Sequence, residues 1–332
     1  MRLLLILVLS WMALTPLHSV RASAGARKAV DLQGERYVPI QAMANLYRFD
    51  IEHADEHSIS LASEWIHLRF EKNSRRILLN GTLIWLHLPV VLHQGSWRIA
   101  DVDIRDVLDP LLRPRVALEG AKIKTILLDP GHGGEDSGAV SPGGNSEEKV
   151  IVLDLCRRLQ RELEKAGFTV LLTRKDDRFL SLGERVQRAM KSRADLFVSI
   201  HLNSASSPDA GGVETFVLTS PGYPSTNSPE SRPAEMNDPN HRFYGPNMVA
   251  GYLVQQALKN ATGAEDRGLR RARFHVIKNA PCPAILVESG FLSNPGEEKA
   301  LRQEDYRNRI AVGIATGIRN YANAIGRAQR KP

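Results

Sequence analysis

The spacing of apolar residues divides the chain into two parts. Apolar residues alternate with polar ones in the first part, whereas the second part also has long segments with the period of an α-helix. Residues 66–70 alternate apolar and polar side chains, and this period of two is typical of a β-strand. Asn80-Gly81 lies between two apolar runs and predicts a β-hairpin, because both residues tolerate positive φ. We therefore expect a small α+β unit of short strands over about residues 28–115.

From residue 122 onward, apolar runs of strand length alternate with longer segments of helical period, which is typical of an α/β domain. In the first predicted helix, apolar residues recur every four positions over 151–163 until Gly167 ends it. Strands are predicted at residues 123–128, 170–173, 196–200, 213–218 and 284–287, and helices from 147, after 181, at about 247–262 and around 310–318.

Local signals mark where several of these segments begin. Ser146 is the expected N-cap of the helix that starts at Glu147. Ser181 and Glu184 have the spacing of a capping box for the next helix. The run 220–246 holds six prolines and is predicted to be a loop that can lie over a functional site.

The first 24 residues have the composition of a secretory signal peptide. Met1-Arg2 precedes a largely apolar run at 3–14, and the small residues 22–24 follow it. The run is too short for an ordinary membrane span, so we expect no transmembrane segment after cleavage and an exported protein in the periplasm, cell wall or extracellular space. The predicted domains are 1–24 as signal peptide, 25–118 as the small α+β domain, 119–325 as the α/β domain and 326–332 as a basic tail.

Charge and cysteine content restrict the class of partner only weakly. The formal charge of +7 includes Arg2 and Arg21, so the chain after cleavage carries 7 − 2 = +5. A modest positive charge suits an acidic polymer of the cell wall, and it also serves solubility; nucleic acid is not an expected partner of an exported protein. Cys156 and Cys282 cannot form a disulfide scaffold, and whether they pair with each other is open.

Polar residues at the ends of predicted strands indicate a possible metal site. His132 lies in a glycine-rich turn directly after the first strand, and His201 directly follows the strand at 196–200. Glu147 or Glu148, at the start of the intervening helix, can supply a carboxylate. Two imidazoles, one carboxylate and an open position are the ligands of catalytic zinc.

Glu288 follows the buried strand at 284–287 and meets a turn. Hydrolysis of an amide at a metal needs a group that moves a proton, and a glutamate near the metal suits that role. Since these residues lie far apart in the sequence, their spacing alone supports only a possible metal site.

Three motifs, in order, resemble the N-acetylmuramoyl-L-alanine amidase family of zinc autolysins. They are Leu-Asp-Pro-Gly-His-Gly-Gly at 128–134 with Gly-Ala at 138–139, Ser-Ile-His-Leu-Asn at 199–203, and Val-Glu-Ser-Gly-Phe-Leu-Ser-Asn at 287–294. The resemblance covers residues 122 to about 322. It implies a central mixed sheet flanked by helices.

The resemblance also implies roles for single residues. The Glu-Lys pair at 148–149 matches the family's motif, so Glu148 rather than Glu147 is the expected third zinc ligand beside His132 and His201. Glu288 is then the base and later the acid in cleavage of the amide between the N-acetylmuramic acid lactyl group and L-alanine of peptidoglycan. The expected substrate-binding residues are Asn203, Arg267, Gly268 and Arg270.

Two stretches of the first domain, 34–46 and 95–108, each run from a glycine through a strand with an aromatic residue into a helix-like segment. This internal repeat resembles the copper amine oxidase-like N-terminal domain of exported wall proteins, which implies a wall-binding or spacer role. Its histidines lack an accompanying carboxylate or cysteine pattern, and we interpret them as scattered surface or strand residues. They are His53, His57, His67, His87 and His93.

Two other functions fit the same residues. A zinc endopeptidase would cut within the stem peptide, and a wall-binding module would bind without turnover.

Some relatives carry a helix that blocks the zinc site until a partner removes it. The proline content of 220–246 predicts no such helix here, so we expect constitutive access and name no regulatory partner.

Overall fold

The computed structural model describes residues 29–228 and 238–330. The predicted signal peptide, 1–24, and the last two residues of the predicted tail lie outside these ranges. The chain divides into two compact units, one ending at Arg113 and the other beginning at Pro114, whereas the predicted boundary followed residue 118. Within the described ranges, no helix is long and apolar enough to cross a membrane.

The first unit is an antiparallel arrangement of strands in the order β1-β2-β8-β7-β6-β5-β4-β3. Asn80 and Gly81 connect β6 to β7 and have φ values of 47° and 72°, which confirms the predicted hairpin. The elements are β1 Val30–Leu32, β2 Glu35–Pro39, α1 Ile40–Tyr47, β3 Asp50–Ala54, β4 Ser58–Ala62, β5 His67–Glu71, β6 Ser74–Leu79, β7 Thr82–His93, β8 Ser96–Ala100, a π-helical segment Asp103–Leu108 and α2 Asp109–Leu112.

The second unit is a mixed sheet flanked by helices, as predicted. The strand order is β10-β9-β11-β14-β12-β13; β12 runs antiparallel to β14, and the other neighbouring pairs are parallel. Helix α9 packs on α4 and α6, and α5 packs on α7. The elements are α3 Pro114–Ala117, β9 Thr125–Pro130, α4 Glu148–Lys165, β10 Thr169–Leu172, α5 Leu182–Ser192, β11 Leu196–Asn203, β12 Val213–Leu218, a 3-10 turn Pro239–Phe243, α6 Tyr244–Thr262, β13 Asp266–Ala272, α7 His275–Lys278, β14 Ala284–Phe291, α8 Pro295–Leu301 and α9 Glu304–Ala328.

The start of α4 differs from the prediction. The N-cap is Glu147, and the Ser146 hydroxyl donates a 2.6 Å hydrogen bond to Glu298 instead of capping the helix. The first-turn N–H groups of Glu148 and Lys149 are bound by main-chain carbonyls of the preceding loop. A side-chain cap is therefore not needed. The capping box of Ser181 and Glu184 is confirmed.

The predicted loop at 220–246 is wrong at its C-terminal end. Residues from Pro239 form a 3-10 turn, and α6 begins at Tyr244. Pro246 lies in the first turn of α6, where an N–H has no helical partner to lose, so this proline does not oppose the helix. Residues 229–237 lie outside the described ranges.

Both thiols lie in the second unit, and both are buried and free. Burial raises the pKa of Cys282 to about 12 and that of Cys156 well above its usual range. Because the thiolate is the reactive form, we expect neither thiol to react with an aromatic disulfide reagent in the native protein. Both should react once the protein is unfolded in guanidinium chloride. Rapid reaction of one thiol under native conditions would contradict this burial.

Candidate metal centre

Three polar side chains meet where two neighbouring strands end. His132 follows β9, His201 lies near the end of β11, and Glu148 is the first residue of α4. Because β9 and β11 are parallel neighbours, their carboxyl ends lie at the same edge of the sheet. One ligand atom from each residue lies within 4.8 Å of the others. In the described ranges, this is the one group of three or more possible metal ligands.

Glu148 is the centre of this group. Its Oε1 lies 3.1 Å from Nε2 of His132 and 2.9 Å from Nδ1 of His201. The N–H groups of Leu202 and Ala139 donate to Oε1 and Oε2 at 3.0 and 2.8 Å. The two imidazole rings are 5.1 Å apart and nearly perpendicular. The carboxylate is therefore held from both sides while two nitrogens face the same space.

Charge favours the ionised carboxylate at this position. Burial of Glu148 acts to raise its pKa, but the hydrogen bonds and charges of His132 and His201 outweigh burial and lower the pKa far below its usual range. Burial also acts to lower the pKa of His132, and here Glu148 and Asp136 outweigh it and raise the pKa. The lowered pKa of Glu148 and the raised pKa of His132 both result from their pairing in the metal-free protein. A bound divalent cation would take the place of the imidazole protons that face Glu148.

The chain around His132 is shaped to hold its ring. His132 has a φ of 59°, which a residue with a side chain rarely adopts. Its Nδ1 donates to Asp136 at 2.8 Å, which leaves Nε2 facing Glu148. Such an outer carboxylate is the usual partner of a metal-bound histidine, because it sets the orientation and tautomer of the ring.

Two glycines leave room for the rings. A Cβ on Gly131 would lie 2.2 Å from Cε1 of His201, and one on Gly138 would lie 2.6 Å from both the Glu148 carboxylate and the His132 ring. The backbone thus approaches the three side chains more closely than any larger residue permits.

We expect Gly131→Ala to displace the His201 ring and to lower the affinity of this group for a divalent cation about 10–100-fold, the range known for residues that orient metal ligands. Gly183→Ala is the matched control, because a Cβ there meets nothing within 4 Å. Metal titration of both variants measures the difference. Equal metal affinities of the two variants would show that the space beside the His201 ring tolerates the methyl group.

Glu288 lies on β14 beside the group. Across the sheet it is paired with His201 on one side and with Glu214 on the other. Its Oε2 is buried and has no hydrogen-bond partner among the described residues. Burial, and then the charges of Glu148 and Glu214, raise the pKa of Glu288 well above its usual range. A carboxyl group with an unpartnered oxygen beside three possible ligands is the arrangement that a bound cation and its substrate would complete.

The residues expected to bind substrate converge on a carboxylate that we did not predict. Glu214 is buried; its Oε1 accepts from Asn203 at 2.8 Å, and its Oε2 accepts from Arg267 at 3.1 Å and lies 2.8 Å from Nε of Arg270. Gly268 contributes backbone shape, because the register of β12 and β13 shifts here and its φ is 92°.

Asp129 is a second carboxylate that the sequence reasoning missed. It is buried, and Thr173 and Ser199 donate hydroxyl hydrogen bonds to it at 2.5 and 2.9 Å. The signal for both missed residues is a carboxylate within an otherwise apolar strand or at its end, which is costly unless polar partners surround it.

In the first unit, two of the histidines each lie close to a carboxylate. His87 is buried, and its Nδ1 lies 2.8 Å from Oδ1 of Asp103. His53 lies 3.0 Å from the exposed Asp55.

Comparison with known proteins places the second unit. A family profile described as N-acetylmuramoyl-L-alanine amidase matches residues 126–320, more than half of the chain. The chain is 36% identical over 219 residues to N-acetylmuramoyl-L-alanine amidase AmiC of Neisseria meningitidis, covering 60% of this chain and 52% of the relative. It is 32% identical over 270 residues to AmiA of Escherichia coli, covering 75% of this chain and 91% of that protein.

A solved structure supports the same assignment. The catalytic domain of CwlV, an amidase from Paenibacillus polymyxa, is 35% identical and superposes with a TM-score of 0.51, covering 61% of this chain and 99% of that domain. The match spans only about half the length of the Neisseria relative. Together with the three motifs and their meeting at one sheet edge, these matches show that the chain belongs to the N-acetylmuramoyl-L-alanine amidase family.

Proposed function

We propose that this protein is an exported zinc hydrolase that cleaves the amide bond between the lactyl group of N-acetylmuramic acid and L-alanine in peptidoglycan. The observation that carries the proposal is the meeting of His132, Glu148 and His201 with Glu288 alongside, in a chain of this family. Family membership supports the reaction, and the donor set supports the metal.

The donor set fits zinc. Two imidazole nitrogens and one carboxylate oxygen are the three protein ligands of many catalytic zinc sites, and Asp136 behind His132 supplies the outer hydrogen bond that such sites use. When bound, a zinc ion here supplies a Lewis acid that polarises a carbonyl and lowers the pKa of water.

Glu288 is the proposed proton carrier. Its unpartnered Oε2 can accept a proton from the attacking water when the carboxyl group is ionised. The protonated group can then donate that proton to the amide nitrogen of L-alanine as it departs. In the metal-free protein, burial and the charges of Glu148 and Glu214 raise the pKa of Glu288, and a bound divalent cation would favour its ionised form.

The proposed substrate groove runs beside Glu214. This carboxylate holds Asn203, Arg267 and Arg270 in fixed positions, and the Arg267 guanidinium also lies 4.6 Å from the centre of the Phe291 ring. Rigid polar groups of this kind can orient the glycan and peptide on either side of the scissile bond. Gly268 would shape the same wall of the groove through its backbone.

The first unit is proposed to bind or space the enzyme at the wall, and the predicted signal peptide would place the protein in the periplasm or at the cell surface. If the first unit anchors the enzyme, its removal should weaken binding to sacculi and leave the turnover of small soluble fragments intact. Equal binding to sacculi would reject the anchoring role.

Digestion of purified peptidoglycan, with products identified by mass and zinc content measured on the same sample, tests the proposed reaction. Only an amidase releases a stem peptide that begins with L-alanine. Cleavage elsewhere in the stem would identify an endopeptidase instead, and binding without cleavage or zinc would identify a wall-binding module. We expect the purified protein to act without an added partner; an inactive enzyme that a partner activates would contradict constitutive access.

A further inference from the structure

The main-chain carbonyl groups of the turn that carries His132 point into the protein. Pro130 is the last paired residue of β9, and Gly131 and His132 follow it, so the sheet does not supply all the hydrogen bonds of these three carbonyl groups. Buried carbonyls of this kind need other donors. Two arginines supply them.

Arg174, which follows β10, is almost fully buried. It donates to the carbonyls of Pro130 at 3.1 Å and Gly131 at 2.7 Å, and also to that of Lys149 at 2.8 Å. A fourth bond goes to the carbonyl of Asp176. Every hydrogen bond of this guanidinium within the described ranges therefore goes to the main chain.

Arg185, on α5, holds the other side of the turn. Its guanidinium donates to the carbonyls of Pro130 at 2.7 Å and His132 at 2.8 Å, and to the Asp129 carboxylate at 2.9 Å. Asp129 also accepts from Ser199, which lies two residues before His201 on β11. Arg185 thus connects the turn to the strand that carries the second histidine.

These contacts join the three segments that carry the possible ligands. Arg174 bonds both Gly131, next to His132, and Lys149, next to Glu148. Burying a guanidinium without a carboxylate partner is unfavourable, since carbonyl dipoles replace the lost hydration only in part. An apolar side chain in this position would leave those carbonyls without the hydrogen bonds that Arg174 donates. The turn therefore depends on the fixed fork of donors that a guanidinium supplies.

We propose that Arg174 and Arg185 are positioning residues of the metal centre. Their guanidinium groups hold three consecutive carbonyls and so keep His132 in its left-handed conformation, with its ring aimed at Glu148 and His201. Arg174 fixes the distance between the His132 turn and the start of α4. The inference rests on the proposed zinc site and extends it to the residues that set its geometry.

Arg174 is the better of the two to test, because removing Arg185 would leave Asp129 buried without its cation. Arg174→Met keeps much of the volume and removes all the donors, and Arg174→Lys keeps the charge with a single nitrogen. The control is Arg158→Met. Arg158 pairs with Asp154 at 2.7 Å. It lies about 15 Å further along α4 than Glu148, by the rise per residue of a helix. Circular dichroism checks the fold of each variant.

Zinc titration against a chromogenic chelator, with the visible spectrum of the Co²⁺-loaded proteins, gives readouts that do not depend on activity. We expect Arg174→Met to bind zinc about 10–100-fold more weakly than the wild type and to alter the Co²⁺ spectrum. Arg174→Lys should fall between the two, and Arg158→Met should match the wild type.

If Arg174→Met does not fold, the folded Arg174→Lys protein decides. Wild-type zinc affinity and an unchanged Co²⁺ spectrum in the folded Arg174 variants would overturn the positioning role while leaving the zinc site intact. A wild-type protein that binds no zinc would instead overturn the proposed function, and this inference with it.

Discussion

Glu288→Gln should lower the rate of amide hydrolysis by about 10²–10⁴-fold while zinc remains bound, which is the range that a positioned general base contributes. Glutamine has nearly the same shape as glutamate but cannot accept or return a proton. The buried Oε2 has no hydrogen-bond partner among the described residues, so the substitution breaks no described contact of that oxygen. The loss should therefore fall on turnover and not on folding or metal binding.

Stability should respond in the opposite direction. The folded state raises the pKa of Glu288, mainly through burial, so folding favours the protonated form. The stability tied to this proton is present below the unfolded pKa near 4.5 and is lost as the pH rises through the raised folded value. Metal-free Glu288→Gln should thus gain stability over metal-free wild type between pH 5 and neutral pH.

The measurement compares peptide release from peptidoglycan and zinc content for the two proteins, with thermal unfolding of their metal-free forms across pH. A variant that keeps most of the wild-type rate would exclude Glu288 as the proton carrier. A variant that loses both zinc and activity would instead assign Glu288 a part in metal binding.

The hydrophobic pattern predicted most of the second unit because buried strands and amphipathic helices bury the same apolar residues that define their periods. The strand predicted at 213–218 has the observed bounds, and β11 and β14 extend past their predicted ends by a few residues. These extensions carry polar side chains, among them His201 and Glu288. An apolar pattern ends where the candidate site begins.

Strand β13 was missed for a related reason. Its sequence, Asp-Arg-Gly-Leu-Arg-Arg-Ala, lacks an apolar run, yet most of it is buried. Its burial is compatible with charge because Glu214 on the neighbouring strand pairs with Arg267 and Arg270. Such a strand is stable because its charged residues pair with a carboxylate some fifty residues away in the sequence. No local sequence pattern predicts that pairing.

The candidate site shows the same division. The strand ends at His132 and His201 could be predicted as neighbours, because parallel strands end at one edge. The choice between Glu147 and Glu148 could not be made from the residues, since both lie at a helix start; it required the resemblance. The buried contacts of Asp129, Arg174 and Arg185 join distant segments and become visible only in three dimensions.

Glu148→Gln should abolish stoichiometric zinc binding and, with it, release of the stem peptide. Among the described residues, Glu148 is the one carboxylate that contacts both histidines, at 3.1 and 2.9 Å, and it is ionised because their hydrogen bonds outweigh its burial. A neutral amide there removes the only negative charge among the three proposed ligands. The loss of affinity should exceed the roughly 10–100-fold that follows removal of an outer partner of a ligand.

Glu147→Gln is the matched control, because it makes the same chemical change one residue earlier. Glu147 has 44% of its side chain exposed and its carboxylate lies 3.6 Å from Nζ of Lys149, so this partly exposed ion pair contributes little to stability. Zinc content, zinc affinity and peptide release should all remain at the wild-type level in Glu147→Gln. If the two variants behaved in reverse, the third ligand would be Glu147 and the helix start would have to rotate on binding metal. If both kept zinc, the two histidines would need a different carboxylate, and Glu288 is the residue that the sheet places beside His201.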